Sequence, residues 1–232
     1  MTPILQPVTL AKSPRYRELA FTAIKEAILA GQLEPEQPLV EEQLAALLNI
    51  SRTPVREALA ILEHEGLIGP GNGRGLYVRQ MTRTEFVDRF VANETVEPYL
   101  ARRAALLATE THLEDIEAAI RRGKESVTRK DVAGFLRSGR DFHRLVGEAS
   151  DNAPLTEFVL RNEERTDLYL LSYGKVVNPI NMEASIREHE SILEAISQRD
   201  PEAAARRVIY HTQSLRDRFA DLFNDGAEGE NR

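Results

Sequence analysis

Apolar residues recur along most of this chain at spacings of three and four, the period of a helix with one buried face. The two-residue alternation of a half-buried strand is nearly absent. "RYRELAFTAIKEAILAG" puts Leu19, Ile24, Ala27 and Ile28 on one face and stops at Gly31, since glycine readily takes the left-handed conformation that ends helices. After a loop with Pro35 and Pro38, "VEEQLAALLNI" predicts a short second helix. "TPVREALAILEHEGLI" predicts a third, with Val55, Leu59 and Leu62 turned inward. Only "NIS" separates the two, which is the spacing of a helix-turn-helix. "GPGNGRGLYVRQ" then allows a tight turn between short extended pieces around Ile68 and Tyr77–Arg79, a small wing.

From Thr82 onward the pattern is helical only. Six more helices are expected, at about 84–109, 112–129, 131–150, 154–174, 182–199 and 201–224. The fold class is therefore mainly α: an N-terminal winged helix-turn-helix over 15–80 and an all-α helical bundle over 82–225. Polar tails, read as disordered, are expected at 1–14 and 226–232.

Composition narrows the chemistry. The 232 residues are 42% hydrophobic and 29% charged, ordinary for a globular protein of one large or two modest domains. No stretch is apolar for anything near the length of a membrane span, and "MTPILQPVTLAKSP" has no basic flank followed by an apolar core. A cytoplasmic protein without membrane contact is expected. There is no cysteine, so a metal would have to be held by His, Asp or Glu. A net charge of −7 opposes general binding to polyanions, so any contact with nucleic acid has to come from a local cluster of Arg and Lys.

Such a cluster lies in "SRTPVREAL". Thr53 can cap the third helix, and Pro54 suits its first turn, where it has no amide hydrogen to lose. Arg52 and Arg56 then project from the helix end that a helix-turn-helix presents to the major groove of double-stranded DNA. Arginine grips guanine through two hydrogen bonds, and the hydroxyls of Ser51 and Thr53 suit phosphate. Arg74, between Gly73 and Gly75, would put the wing into the adjacent minor groove. Ordinary arginines on a solvated helix face are the plainer reading. The short turn, the cap and the glycine-rich wing together favour DNA.

A second constellation is formed by histidines at apolar positions. His143 follows Val132, Leu136 and Gly139 on the stripe that continues to Val146. His189 sits among Met182, Ile186, Leu193 and Ile196, and His211 among Ala204, Val208, Leu215 and Leu222. A lone buried histidine is usually a satisfied core residue. Three converging in one bundle leave several ring nitrogens needing partners, and a metal satisfies them together. His64 and His112 read as surface residues.

"LVEEQLAALLNISRTPVREALAILEHEGLI" followed by "GRGLYV" resembles the winged helix-turn-helix of GntR-family transcriptional regulators. By that resemblance Ser51, Arg52, Thr53, Arg56, Arg74 and Gly75 carry operator contact, and Glu42 stands where the family usually has a basic residue. "VEPYLARRAA", "FHRLVGEASDN", "EHESILEAISQRDPEAAARRVIYH" and the 22-residue step from His189 to His211 resemble the FCD effector domain of the FadR-like branch. Six helices suit its VanR-like subgroup. The resemblance implies a homodimeric repressor, released when a small organic acid binds beside a divalent metal, zinc or nickel. The metal would be held by one aspartate and three histidines, which match His143, His189 and His211. The aspartate position, one turn before the first histidine, is Gly139, and Asp141 points to another side of the helix. Asn93 stands where many relatives carry an arginine, four residues before Glu97. Asn93, Glu97 and Gly139 are the candidate effector-binding positions.

Two other readings stand beside this one. An α-helical three-histidine metal hydrolase would need a general base, for which Glu97 is the candidate. It would leave the winged module without a role, so the chain is read as not an enzyme. A bundle built only for protein interaction would have a packed core, whereas Gly139 makes room for a cavity.

Overall fold

The computed structural model describes residues 14–71, 75–80, 82–172 and 177–219. Two compact units divide between Arg79 and Gln80. The first holds Gln32–Arg79 with the chain up to Ile28, the second Gln80 onward with Leu29–Gly31. The expected tails at 1–14 and 226–232 lie outside the described residues, Pro14 apart.

The first unit begins with α1 (Pro14–Leu29), which buries Ala20, Ile24 and Ile28, spaced by four. Leu19 was expected inward with Ile24 and is instead 56% exposed, because a face set by Ala20 leaves its neighbour about 100° away around the helix. The loop expected around Pro38 contains β1 (Pro38–Leu39), a strand too short to show any alternation in sequence. Next come α2 (Glu41–Leu48) and α3 (Arg52–His64). Between them Asn49 closes α2 at φ 52°, its N–H bonded to the carbonyls of Ala45 and Ala46, a left-handed cap that asparagine tolerates. The expected cap of α3 by Thr53 is corrected. Ser51, extended at ψ 160°, is the cap residue, so Thr53 and Pro54 fall inside the first turn. Val55, Ala58, Leu59 and Leu62 form the buried face of α3. The wing consists of β2 (Ile68–Pro70) and β3 (Leu76–Val78). They form an antiparallel sheet in the order β1-β3-β2, with Gly69 opposite Tyr77 and Pro38 opposite Tyr77 on the other edge.

The second unit contains α4 (Arg83–Leu107), α5 (Glu110–Arg129), α6 (Val132–Ala149), α7 (Ala153–Ser172), α8 (Pro179–Ser197) and α9 (Pro201–Arg218). Each start that the structure describes fully has a local cause. Thr82 and Glu85 form a capping box on α4, and Thr109 and His112 one on α5. Asp131, Asn178 and Asp200 cap α6, α8 and α9, with proline opening the last two. α8 thus begins three residues before the expected 182, and the expected end of α9 at 224 lies outside the described residues.

The core of this unit is continuous, running through Phe86, Ile116, Phe142, Met182, Ile192 and Ile196. Burying one such side chain stabilises by about 1.5–3 kcal/mol. At Gly123 on α5 a Cβ would meet Ile186 Cδ1 at 2.5 Å and Ser138 Oγ at 2.9 Å, so α6 and α8 approach where that side chain is missing. The core is interrupted on the side formed by α4, α6, α7, α8 and α9, and there the functional side chains gather.

Candidate nucleic-acid interface and metal centre

Ser51, Arg52, Thr53 and Arg56 are all exposed at the start of α3. Ser51 makes no side-chain capping bond, which leaves its hydroxyl for an outside partner. Arg56 forms a two-pronged pair with Glu41 of α2, Nε to Oε1 and Nη2 to Oε2, both at 2.8 Å. Arg52 Nη2 lies 3.6 Å from the same carboxylate. The hydrogen bond from Arg56 holds the Glu41 carboxyl below the usual carboxylate range. Glu41 therefore occupies the whole fork of Arg56 and holds Arg52 nearby. Glu42 is exposed. Gly75 adopts φ 117°, a conformation closed to most side chains, and Arg74 lies outside the described residues.

In the second unit, His143 on α6, His189 on α8 and His211 on α9 come together with potential ligand atoms within 4.8 Å of one another. They line a cavity of about 80 Å³ that also takes in Asn93, Glu97 and Gly139. Two of the rings are oriented by carboxylates. His143 Nδ1 lies 2.7 Å from Glu97 Oε2, and His211 Nδ1 lies 2.7 Å from Glu188 Oε2. Phe142 stacks on His189, with centroids 4.0 Å apart and planes within 10°. Glu188 is itself fixed. Arg218 donates to both of its oxygens, at 2.6 and 2.9 Å, and Ser214 donates at 2.8 Å.

This arrangement fits a divalent ion. The Nε2 atoms of His189 and His211 are buried and have no partner, a costly state for polar nitrogens unless something occupies the space between them. A carboxylate on Nδ1 is the usual outer support of a metal-binding imidazole: it fixes the tautomer and leaves Nε2 for the ion. At Gly139 a Cβ would meet nothing within 4 Å, so the missing aspartate leaves open space rather than a neighbour that has filled in. Asp141 is engaged elsewhere, with Arg122 at 3.1 Å and Arg144 at 3.4 Å.

Charge in the cavity is unevenly distributed. Burial pushes His189 well below the ordinary histidine value, aided by the other two rings, and it lowers His211 as well. Burial would also lower His143, but Glu97 and Glu163 outweigh it and raise the group to about 9. Burial raises Glu163 to about 7, opposed by His143 and abetted by Glu97 and Asp167. It raises Asp167 to about 6 against the pull of Arg140, its ion-pair partner. Burial likewise opposes ionisation of Glu188, but Arg218 and His211 bring it down to about 2. Without an ion, then, the surrounding carboxylates favour the protonated form of His143.

Sequence reasoning did not single out Glu163, Asp167, Arg140, Glu188 or Glu41. Glu188 precedes His189 directly and was within reach. Asp167, four residues after Glu163 on α7, is a spacing that any solvated helix shows.

An exposed helix-turn-helix and a wing, in one chain with a helical unit holding a cavity around three histidines, define a ligand-sensing transcriptional regulator. A family model described as "Bacterial regulatory proteins, gntR family" matches residues 17–78, and the "FCD domain" model matches residues 88–214, more than half of the chain. The chain belongs to the GntR family of bacterial regulatory proteins, with an FCD domain, and is a DNA-binding regulator rather than an enzyme. This removes the three-histidine hydrolase. The chain is 25% identical over 209 residues to the HTH-type transcriptional repressor RspR of Escherichia coli strain K12, covering 90% of each chain. It is 30% identical over 186 residues to a probable D-xylose utilization operon transcriptional repressor of Paenarthrobacter nicotinovorans, covering 79% of this chain and 80% of that one. In fold it is similar to E. coli McbR/YncC, with TM-score 0.78 and 19% identity over 94% of this chain and 99% of that one. Among the described residues no helix is long and apolar enough to cross a membrane.

Proposed function

We propose that the chain is a homodimeric repressor that leaves its operator when a small effector occupies the cavity beside a divalent ion held by His143, His189 and His211. The observation that carries this reading is the pair of buried, partnerless Nε2 atoms lining a cavity, His211 on a ring held from behind by Glu188 and His189 on a ring stacked against Phe142. Zinc or nickel suits three imidazoles, and when bound it supplies positive charge and open positions for an oxygen of an organic acid. Asn93, Glu97 and Gly139 shape the space for that effector, and Gly139 leaves the ion one carboxylate short. Repression is the sign suggested by the names of the relatives, and the cytoplasm is where such a protein meets DNA.

On the DNA side, Arg52 and Arg56 read bases while Ser51, Thr53, Arg74 and Gly75 hold the backbone at α3 and the wing. Dimerisation is supported by Tyr99 and Leu106, seven residues apart on one face of α4 and 46% and 64% exposed. Two recognition helices then match a two-fold operator, and effector binding acts by favouring the dimer state with the lower operator affinity. Selection of duplexes from a random pool by the full-length protein, followed by anisotropy titration of the selected duplex, tests the DNA side. An inverted repeat that is lost in Arg52→Ala and Arg56→Ala is expected. Selection of no common site, or variants that bind the site as tightly as the parent, overturns it.

A further inference from the structure

The cavity has one wall that the metal reading leaves unexplained. Glu97, Glu163 and Asp167 all line it, and among the described residues no lysine or arginine does. Two of these carboxylates are answered by a positive or protonatable partner, Glu97 by His143 and Asp167 by Arg140. Glu163 is different. Its hydrogen bond comes from Asn93 Nδ2, at 2.7 Å to Oε1, and that amide carries no charge. Asn93 is itself held by Asn162, whose Nδ2 donates to Asn93 Oδ1 at 3.0 Å. The amide is thus fixed as a donor to Glu163 and cannot turn away. Among the described residues Oε2 of Glu163 has no partner. A cavity-lining carboxylate with no cation in contact can accept a charged donor, which would hold it ionised against the burial that pushes it up.

We infer that the effector is a small aminocarboxylate, with its carboxylate toward the three imidazoles and its protonated amine on Glu163. This rests on the reading of the cavity as the effector site and names the class of molecule that fills it. A simple diacid would bring a second negative charge against Glu97, Glu163 and Asp167, with no lysine or arginine among the described lining residues to receive it. A monocarboxylate would leave Glu163 as it is. An ammonium group meets Glu163 directly, and the cavity of about 80 Å³ limits the molecule to a few carbon atoms. Asn93 acts here as a specificity residue: by leaving Glu163 uncompensated where an arginine would neutralise it, it sets the cavity's preference for a cation.

Calorimetric titration of the zinc-loaded full-length protein tests this with three matched series. These are glycine, β-alanine and 4-aminobutyrate; acetate, propionate and butyrate; and malonate, succinate and glutarate. At least one aminocarboxylate is expected to bind at least tenfold tighter than the acid and the diacid of its length. Glu163→Gln, an isosteric change that keeps the Asn93 hydrogen bond possible, is expected to erase that preference. A diacid bound as tightly as its aminocarboxylate overturns the inference. So does a preference that survives Glu163→Gln, or no binding in the aminocarboxylate series. Zinc affinity, measured separately on the same protein, reports on the metal reading alone. The amine preference is a ratio of two dissociation constants and can be scored with or without metal.

Discussion

Replacing Gly139 by aspartate should make the protein less stable without metal and more stable with it. Position 139 lies one turn before His143, and a Cβ there meets nothing within 4 Å, so the new side chain enters the cavity without displacing a neighbour. Helix propensity contributes a gain of only a few tenths of a kcal/mol, aspartate being slightly better than glycine. Against it stands a carboxylate placed beside Glu97, Glu163 and Asp167. A buried polar group left unsatisfied costs about 1–3 kcal/mol. At about 2–4 °C per kcal/mol for a chain of this size, the metal-free variant should melt several degrees below the parent. Zinc reverses the sign. At a hundredfold excess over Kd, binding to the folded state alone adds about 2.7 kcal/mol, or about 5–11 °C. A fourth ligand that tightens binding tenfold adds about 1.4 kcal/mol more at the same zinc concentration. Differential scanning fluorimetry of parent, Gly139→Asp and Gly139→Asp/His143→Ala, each with chelator and with zinc, reads all of these terms. Equal zinc responses in parent and Gly139→Asp would refute the geometry, and a response that persists without His143 would refute the site.

Arg56→Ala should lower operator affinity by about ten- to a hundredfold and relax preference at one base pair, read by anisotropy on a panel of single-substitution duplexes. Glu41→Gln should raise affinity for non-specific duplex more than for operator, because it frees the Arg56 fork while removing its aim; a fall in non-specific affinity would contradict this. Glu188→Gln should weaken zinc binding by about 10–100-fold through a loosened His211, with the helical circular dichroism spectrum unchanged. The proton on His143 must leave before that ring can ligate. Zinc affinity should therefore rise with pH up to about 9 and fall below it, with proton release visible as a dependence of calorimetric heat on buffer ionisation. Heat independent of the buffer at pH 7 would argue against that proton.

The helices were legible because their signals are local. Thr109, Asp131 and Asp200 stand where caps should, and Val55, Leu59 and Leu62 repeat with the helical period. The histidine positions were legible for a different reason: a polar residue on an apolar stripe is conspicuous in one dimension. What escaped has no such signature. β1 is two residues long, and its pairing to β3 is a contact between residues 37 apart, Leu39 and Leu76, or 39 apart, Pro38 and Tyr77. Leu19 shows that an apolar residue at the margin of a stripe can face water. Glu163 and Asp167 sit on α7 among other charged residues, and only the tertiary fold shows that these two point into the cavity while Glu157 pairs with Arg161 outside. Gly139 was readable as a missing carboxylate. That the space beside it remains open is a property of the packed bundle, not of the local sequence.

Crystals of the zinc-loaded full-length protein, measured at energies on either side of the zinc absorption edge, test the central claim most directly. The account predicts one anomalous peak per chain within about 2.0–2.1 Å of a ring nitrogen of each of His143, His189 and His211. No peak in that cavity, or zinc found only on surface carboxylates, would contradict it.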